Sequence, residues 1–325
     1  MRLLKLVPDN TNISFLKWRN IAMAISFLMI VASIALVAVR GLNLGVDFVG
    51  GQMVRVTFQQ PPNLDDLRKR VGALGLGDST IQQFGGPNDV TIRTSLPQGG
   101  EGASNQAAIA LKKAVINGYP DAEFGSVDAV SGKVSGELFR TGAYAMLFAM
   151  IAISIYIWFR FEWQFGAGAL FALLHDVSLT FGFFALTQLE FDLNIVAAVL
   201  TIIGYSLNDT IVVYDRIREN LRKYRKMEIV PILDLSINET LARTIMTSLT
   251  MIIALVALLV FGPEVIFGFT AAMLLGIFVG TYSSVYMAAP ILVWAKVGPH
   301  SFVPKEMGPA AGAERIGRAE PMGDQ

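Results

Sequence analysis

The chain has 325 residues, of which 53% are hydrophobic and 16% charged, and its mean hydropathy is +0.52. Soluble domains carry closer to a quarter charged residues, so an ordinary soluble globule is excluded, and the zero net charge gives no sign of nucleic-acid binding. The lack of cysteine excludes disulfides, thiolate catalysis and thiolate-held metals; His175 and His300 alone are too few for a multi-histidine site, and no cofactor is expected.

The chain opens with a basic lead, residues 1–20, holding Arg2, Lys5, Lys17 and Arg19. The apolar run Ile21–Val39 that follows is long enough to cross a bilayer. No small-x-small cleavage site follows it, so it reads as a retained signal-anchor helix rather than a signal peptide. Residues 21–40 are assigned to this first helix.

Residues 41–140 are polar by comparison and read as one inserted extramembrane domain. "VDFVGGQMVRVTF" is expected to be a strand interrupted at Gly50 and Gly51. "NLDDLRKRVGALG" has the marks of a helix, with Asn63 as cap, Asp65 and Asp66 in the first turn, and Leu64, Leu67, Val71 and Leu74 along one face. "STIQQF" and "DVTIRTS" read as short strands joined by a "GGPN" turn. "NQAAIALKKAVING" reads as a second helix and "AEFGSVDAV" as a last strand. The order β-α-β-β-α-β is the ferredoxin-like pattern. Asp47, Asp89, Asp121, Glu123 and Asp128 are taken as surface or turn residues, since no nucleophile and base pair up here.

Five more apolar runs lie within residues 141–296: Gly142–Phe159, Phe165–Thr187, Ile195–Tyr214, Leu241–Phe261 and Ile266–Trp294. The expected fold is thus an α-helical polytopic membrane protein with six transmembrane helices and one ferredoxin-like α+β domain inserted after the first. Residues 297–325 form a Gly/Ala/Pro-rich tail expected to be disordered. The lead, Arg160, the cluster from Arg216 to Lys226, and Lys296, Lys305, Arg315 and Arg318 all fall on one side if the helices alternate. The opposite connectors "TQLEFDLN" and "FGPEVIF" carry no Lys or Arg, so both termini are predicted to be cytoplasmic and domain 41–140 periplasmic. "RIRENLRKYRKMEIVPILDLSINETLART" reads as a basic helix lying on the membrane surface.

No GxxxxGK[ST], GxSxG or HExxH occurs, so ATP hydrolysis and the common hydrolase chemistries lack their motifs. What remains is polarity inside the membrane. Asp209, beside Asn208, is the only formal charge between Asn194 and Asp215, about 9 Å from the predicted end of its helix. Arg243 falls in the first turn of the predicted fifth span, and His175 and Asp176 lie about 13 Å into the third. Burial favours a neutral carboxylic acid and a neighbouring arginine favours the anion, so an Asp209–Arg243 pair is a candidate proton relay. A static ion pair, or an Arg243 that snorkels to the interface, is the structural alternative. Adjacent residues on a helix diverge, so at most one of His175 and Asp176 is expected to face a given partner. In "GIFVGTYSS", Gly276 and Gly280 form a small-residue face, and with Ser283 and Ser284 they read as helix packing.

"GLNLGVDFVGG" after the first span, "GYSLNDTIVVYDRIREN" with Gly204 through the fourth, "INETLARTIMTSLT" into the fifth and "GTYSS" in the sixth together resemble the SecD/SecF family of bacterial protein-export membrane proteins. That family lies in the resistance–nodulation–division superfamily. The resemblance runs from about Gly41 to the end of the sixth span. It implies a non-enzymatic accessory subunit of Sec protein translocation in the bacterial cell inner membrane, driven by the proton-motive force. It also implies SecD, the SecYEG translocon, YajC, the translocating preprotein and membrane lipids as partners, without nucleic acid, and a proton pathway through Asp209 and Arg243. Two other readings stay open: half of a proton-coupled small-molecule exporter, and an intramembrane aspartyl protease using Asp176 and Asp209. The second lacks the GxGD and PAL signatures of such enzymes.

Overall fold

The structure, a computed structural model, describes residues 8, 11–77, 79–83, 86–96 and 101–298. Arg2, Lys5, His300, the tail from residue 299 onward and part of the 99–104 loop lie outside the described residues. A 3-10 turn at Phe15–Trp18 leads into α1 (Arg19–Arg40). The extramembrane part then runs through α2 (Val46–Val49), β1 (Gly51–Thr57), α3 (Leu64–Gly72), β2 (Ser79–Gln83), β3 (Asp89–Thr94), α4 (Glu101–Ile116) and β4 (Glu123–Val130). The rest is helical: α5 (Gly132–Arg160), α6 (Trp163–Thr187), α7 (Leu193–Lys223), α8 (Ile229–Phe261), α9 (Phe267–Ser283) and α10 (Ala289–Trp294). A π-helical segment, Ser284–Ala288, joins the last two.

Among the described residues, six helical runs are long and apolar enough to cross a membrane, with α9 to α10 counting as one. They divide into a buried centre and a rim. More than half of the most apolar window of α7 and of the α9–α10 run is buried, and half of that of α6, against 11% for α5, 17% for α8 and 22% for α1. Rim helices turn Phe148, Trp158, Ile253 and Phe27 outward, as helices bathed in lipid do.

Several helices overrun their apolar cores. α5 begins at Gly132, α7 continues to Lys223 and α8 starts at Ile229. The basic stretch expected to lie as a surface helix is therefore the end of α7, a short turn and the first turns of α8. Polar pairs hold these extensions together beyond the apolar layer. Arg216 Nε meets Glu239 Oε2 at 2.7 Å, Asn220 Nδ2 donates to Ser236 Oγ at 3.0 Å, and Arg160 meets Asp215 at 2.8 Å.

The sheet is antiparallel in the order β2-β3-β1-β4, with Val54 opposite Ile92 on one side and Val127 on the other. Alternation sends Val54, Val56, Ile81 and Ile92 to one face, where they pack with Leu67 of α3 and Leu111 of α4. The Asn63 side chain caps α3 by accepting from the amides of Asp65 and Asp66 at 3.0 and 3.3 Å. The expected strand through "VDFVGG" is not one. Val46–Val49 is a helical turn, and β1 starts only at Gly51. Gly50 and Gly51 have φ of +76° and +112°, and a Cβ on Gly51 would lie 2.8 Å from the Thr94 carbonyl oxygen. The chain must leave α2 and enter β1 in this left-handed geometry against the end of β3, which a side chain would obstruct.

Candidate functional site

α7 and α8 pack antiparallel, and their hydrogen bonds set the register. Tyr205 Oη donates to Ser248 Oγ at 3.1 Å, and Arg216 and Asn220 reach Glu239 and Ser236 further along. One turn from Tyr205 is Asp209, and one turn back from Ser248 is Thr244, so this register sets Asp209 opposite Thr244. Asp209 is 3% exposed, Thr244 4%. Asp209 Oδ2 and Thr244 Oγ1 have no hydrogen-bond partner among the described residues. A carboxyl oxygen and a hydroxyl left unsatisfied in an apolar core are costly, and such costs gather where protons or waters are handled.

The expected Asp209–Arg243 ion pair is not closed. Arg243 lies within Coulombic reach of Asp209, yet no salt bridge joins them and the arginine side chain is exposed. Because α8 begins at Ile229, Arg243 is not in its first turn but about 21 Å along it. Likewise α7 runs about 21 Å beyond Asp209. Asn208 is exposed and points away from its neighbour, and Gly204 is exposed with nothing within 4 Å of a Cβ position.

His175 and Asp176, of which at most one is expected to face a given partner, are bonded to each other, and among the described residues only Asp176 hydrogen-bonds to α7 and α9. His175 Nδ1 lies 2.8 Å from Asp176 Oδ1, with both side chains fully buried. Asp176 also accepts from Ser206 Oγ of α7 and, at 2.8 Å, from Ser283 Oγ of α9. One carboxylate thus ties three central helices together, and Ser283 has a polar role that packing alone did not suggest. Ser284 caps its own helix, donating to the Thr281 carbonyl at 2.9 Å. The close approach beneath this hub depends on glycines. A Cβ on Gly276 would fall 2.4 Å from Ile202 Cγ1, and one on Gly280 3.0 Å from Ser206 Cβ. Among the described residues no cluster of three or more His, Asp or Glu is placed to hold a metal.

The connection from α6 to α7, residues 188–192, meets the sheet domain. Asp192 caps α7, accepting from the Ile195 amide at 3.0 Å, and Asp47 of α2 accepts from the Leu193 amide at 3.1 Å. Two carboxylates thus sit where the helix dipole favours negative charge. Asp47, taken as a surface residue in the sequence, is a contact between the domain and the helix that carries Asp209.

Two family models match the chain: "SecD/SecF GG Motif" over residues 35–62 and "Protein export membrane protein SecD/SecF, C-terminal" over residues 110–298. The chain is 43% identical over 295 residues to a protein translocase subunit SecF of Rickettsia conorii, covering 89% of this chain and 94% of the relative. It is 44% identical over 290 residues to one from Rickettsia bellii, covering 89% and 95%. The crystal structure of SecDF, a translocon-associated membrane protein from Thermus thermophilus, superimposes with a TM-score of 0.80 at 32% identity. That match covers 88% of this chain and 39% of that one. SecDF in a super-membrane-facing form gives 0.66 at 31% identity, covering 91% and 40%.

Proposed function

We propose a function for this chain, which belongs to the SecD/SecF family of protein-export membrane proteins: it is an accessory subunit of Sec protein translocation, driven by protons and not itself an enzyme. Asp209 carries the reading. It is a buried carboxylate with an unsatisfied oxygen, set in an apolar helix at the centre of the bundle and facing another unsatisfied hydroxyl. Proton arrival and departure there change the charge between packed helices, and α7 conveys the resulting shift along its length. Moving one charge through the full membrane potential is worth about 2.3 kcal/mol per 100 mV, enough to bias a helix rearrangement over a few steps.

Arg243 supports a partner on the α7–α8 face. Arg243 stands exposed near the start of the apolar run Leu241–Phe261, and a second six-helix subunit, SecD, would cover it and bring its own polar groups near Asp209. The sheet order β2-β3-β1-β4 with two helices on one face supports a ferredoxin-like domain for residues 41–140. We place that domain in the periplasm and both termini in the cytoplasm of a bacterial inner membrane, because the basic residues gather at the opposite ends of the helices. From that position the domain would act on preproteins leaving SecYEG, with YajC alongside. Asp209→Asn tests the reading. In a strain depleted of the native subunit, the variant should accumulate normally but lose export stimulated by the proton-motive force. Unchanged proton-dependent export would sink it.

A further inference from the structure

Glu190 lies in the 188–192 connection, is 8% exposed, and belongs to no motif recognised in the sequence. Two arginines of the sheet grip it: Arg93 of β3 at 3.1 Å and Arg55 of β1 at 3.8 Å. Arg55 pairs with Thr91 across the ladder, so Arg55, Thr91 and Arg93 share the sheet face that α3 and α4 leave uncovered. That face rests on the α6–α7 connection. Asn43 bridges beside it, donating to Gln82 Oε1 at 3.0 Å and to the Gln188 carbonyl at 2.9 Å. A polar cavity of about 80 Å³ lies at the same seam, lined by Gln82, Arg93, Gln188 and Glu190.

We propose that Glu190 is the clasp that seats the sheet domain on the N-terminal end of α7, and that its charge state sets how firmly the domain is held. The seat and Asp209 then lie toward two ends of one rod: from the start of α7 at Leu193 to Asp209 is 16 residues, or about 24 Å. The groups around Glu190 are Arg93 and Arg55 from the sheet, Asp47 from α2 and Asp192 from its own connection; β2 brings only Gln82 and Gln83, and Arg40 of α1 is occupied with the Leu186 carbonyl. Burial raises the Glu190 carboxyl above its ordinary value, Arg93 and then Arg55 pull it back, and Asp192 and Asp47 push it up again. With the seated value above the free one, the seated form binds more protons. The seat is therefore firmest at pH below the free carboxylate range and weakens as pH rises through the seated value.

Arg93→Gln leaves an ionised, under-compensated carboxylate in the seam; it also removes the bond from Arg93 Nη1 to the Leu44 carbonyl, a loss that the Glu190→Gln/Arg93→Gln variant shares, so the difference between the two variants reads the charge alone. The clasp rests on the proposed function for its purpose, but its test needs no transport. Since the sequence has no cysteine, spin labels go on Lys69→Cys in α3 and Val265→Cys beyond α8, in the full chain in lipid nanodiscs. The labelled parent should give one narrow distance distribution. Arg93→Gln should add a second population at pH 7.5 that declines on acidification, its ratio to the seated one falling by up to about tenfold per pH unit. Glu190→Gln/Arg93→Gln, which removes the stranded charge, should restore the single distribution at every pH. An Arg93→Gln sample that stays single, a second population that ignores pH, or a double variant as broad as Arg93→Gln would each overturn the clasp. Asp209→Asn should leave the distribution single, so a failed clasp and a failed proton site are told apart.

Discussion

Replacing Asp176 with alanine separates the two buried carboxylates of the bundle by their work. The change strands His175 Nδ1 and Ser206 Oγ, whose only hydrogen-bond partner among the described residues is that carboxylate. Ser283 keeps the Gly280 carbonyl at 3.1 Å and is stranded less. A buried polar group left unmade costs about 1–3 kcal/mol, so two of them give a loss of about 2–6 kcal/mol. Asp176→Asn keeps one carbonyl oxygen and should cost about 1–3 kcal/mol on the same grounds. Unfolding by SDS in mixed micelles, followed through the four tryptophans, gives the difference directly. Ser206→Ala removes one of the stranded donors in advance, so the Asp176→Ala/Ser206→Ala double variant should cost less than the sum by about 0.5–3 kcal/mol. An Asp176→Ala chain within about 0.5 kcal/mol of the parent would refute the hub, since that is the scatter of substitutions that touch nothing. Asp209 predicts the reverse pattern: its asparagine variant should unfold like the parent while export falls.

Thr244→Val removes a buried hydroxyl that has no partner, so it should stabilise the chain by about 1 kcal/mol and, if the hydroxyl serves Asp209, lower proton-dependent export; stability comes from the same unfolding curves, export from pulse-chase processing of a preprotein. Gly276→Ala should cost about 1–3 kcal/mol by driving a methyl into Ile202, and adding Ile202→Ala should recover part of that loss rather than deepen it. Asn238 exchanges two hydrogen bonds of 2.9 Å with the Ile13 backbone, so Asn238→Ala should free the segment before α1 and speed tryptic cleavage at Lys17 in detergent, read by mass spectrometry.

Apolar runs alone locate the six spans, because crossing lipid demands length and hydrophobicity and little else. They fail at the ends of α5, α7 and α8, where helix continues into polar sequence held by pairs such as Arg216–Glu239 that no periodicity reveals. Asp209 was legible because a carboxylate in an apolar run has few ordinary explanations. Its geometry with Arg243 was not, because the way Arg243 points depends on how α8 is rotated against α7, which no run of residues shows. The expectation that at most one of His175 and Asp176 faces a given partner concerns neighbouring helices and says nothing of their bond to each other, since an imidazole is long enough to fold back onto the next carboxylate. Glu190 carried no signal at all: it sits in a connector notable in sequence only for lacking Lys and Arg. Its partners lie on β1 and β3, over a hundred and under a hundred residues away in the chain respectively, brought together by the uncovered sheet face. The residues hardest to find in the sequence are thus those that join the domain to the membrane helices. The proposed proton site at Asp209 can act on preproteins, as proposed, only with something at the far end of α7 to hold the domain, and the seam around Glu190, Asp47 and Asp192 is where the domain meets that end.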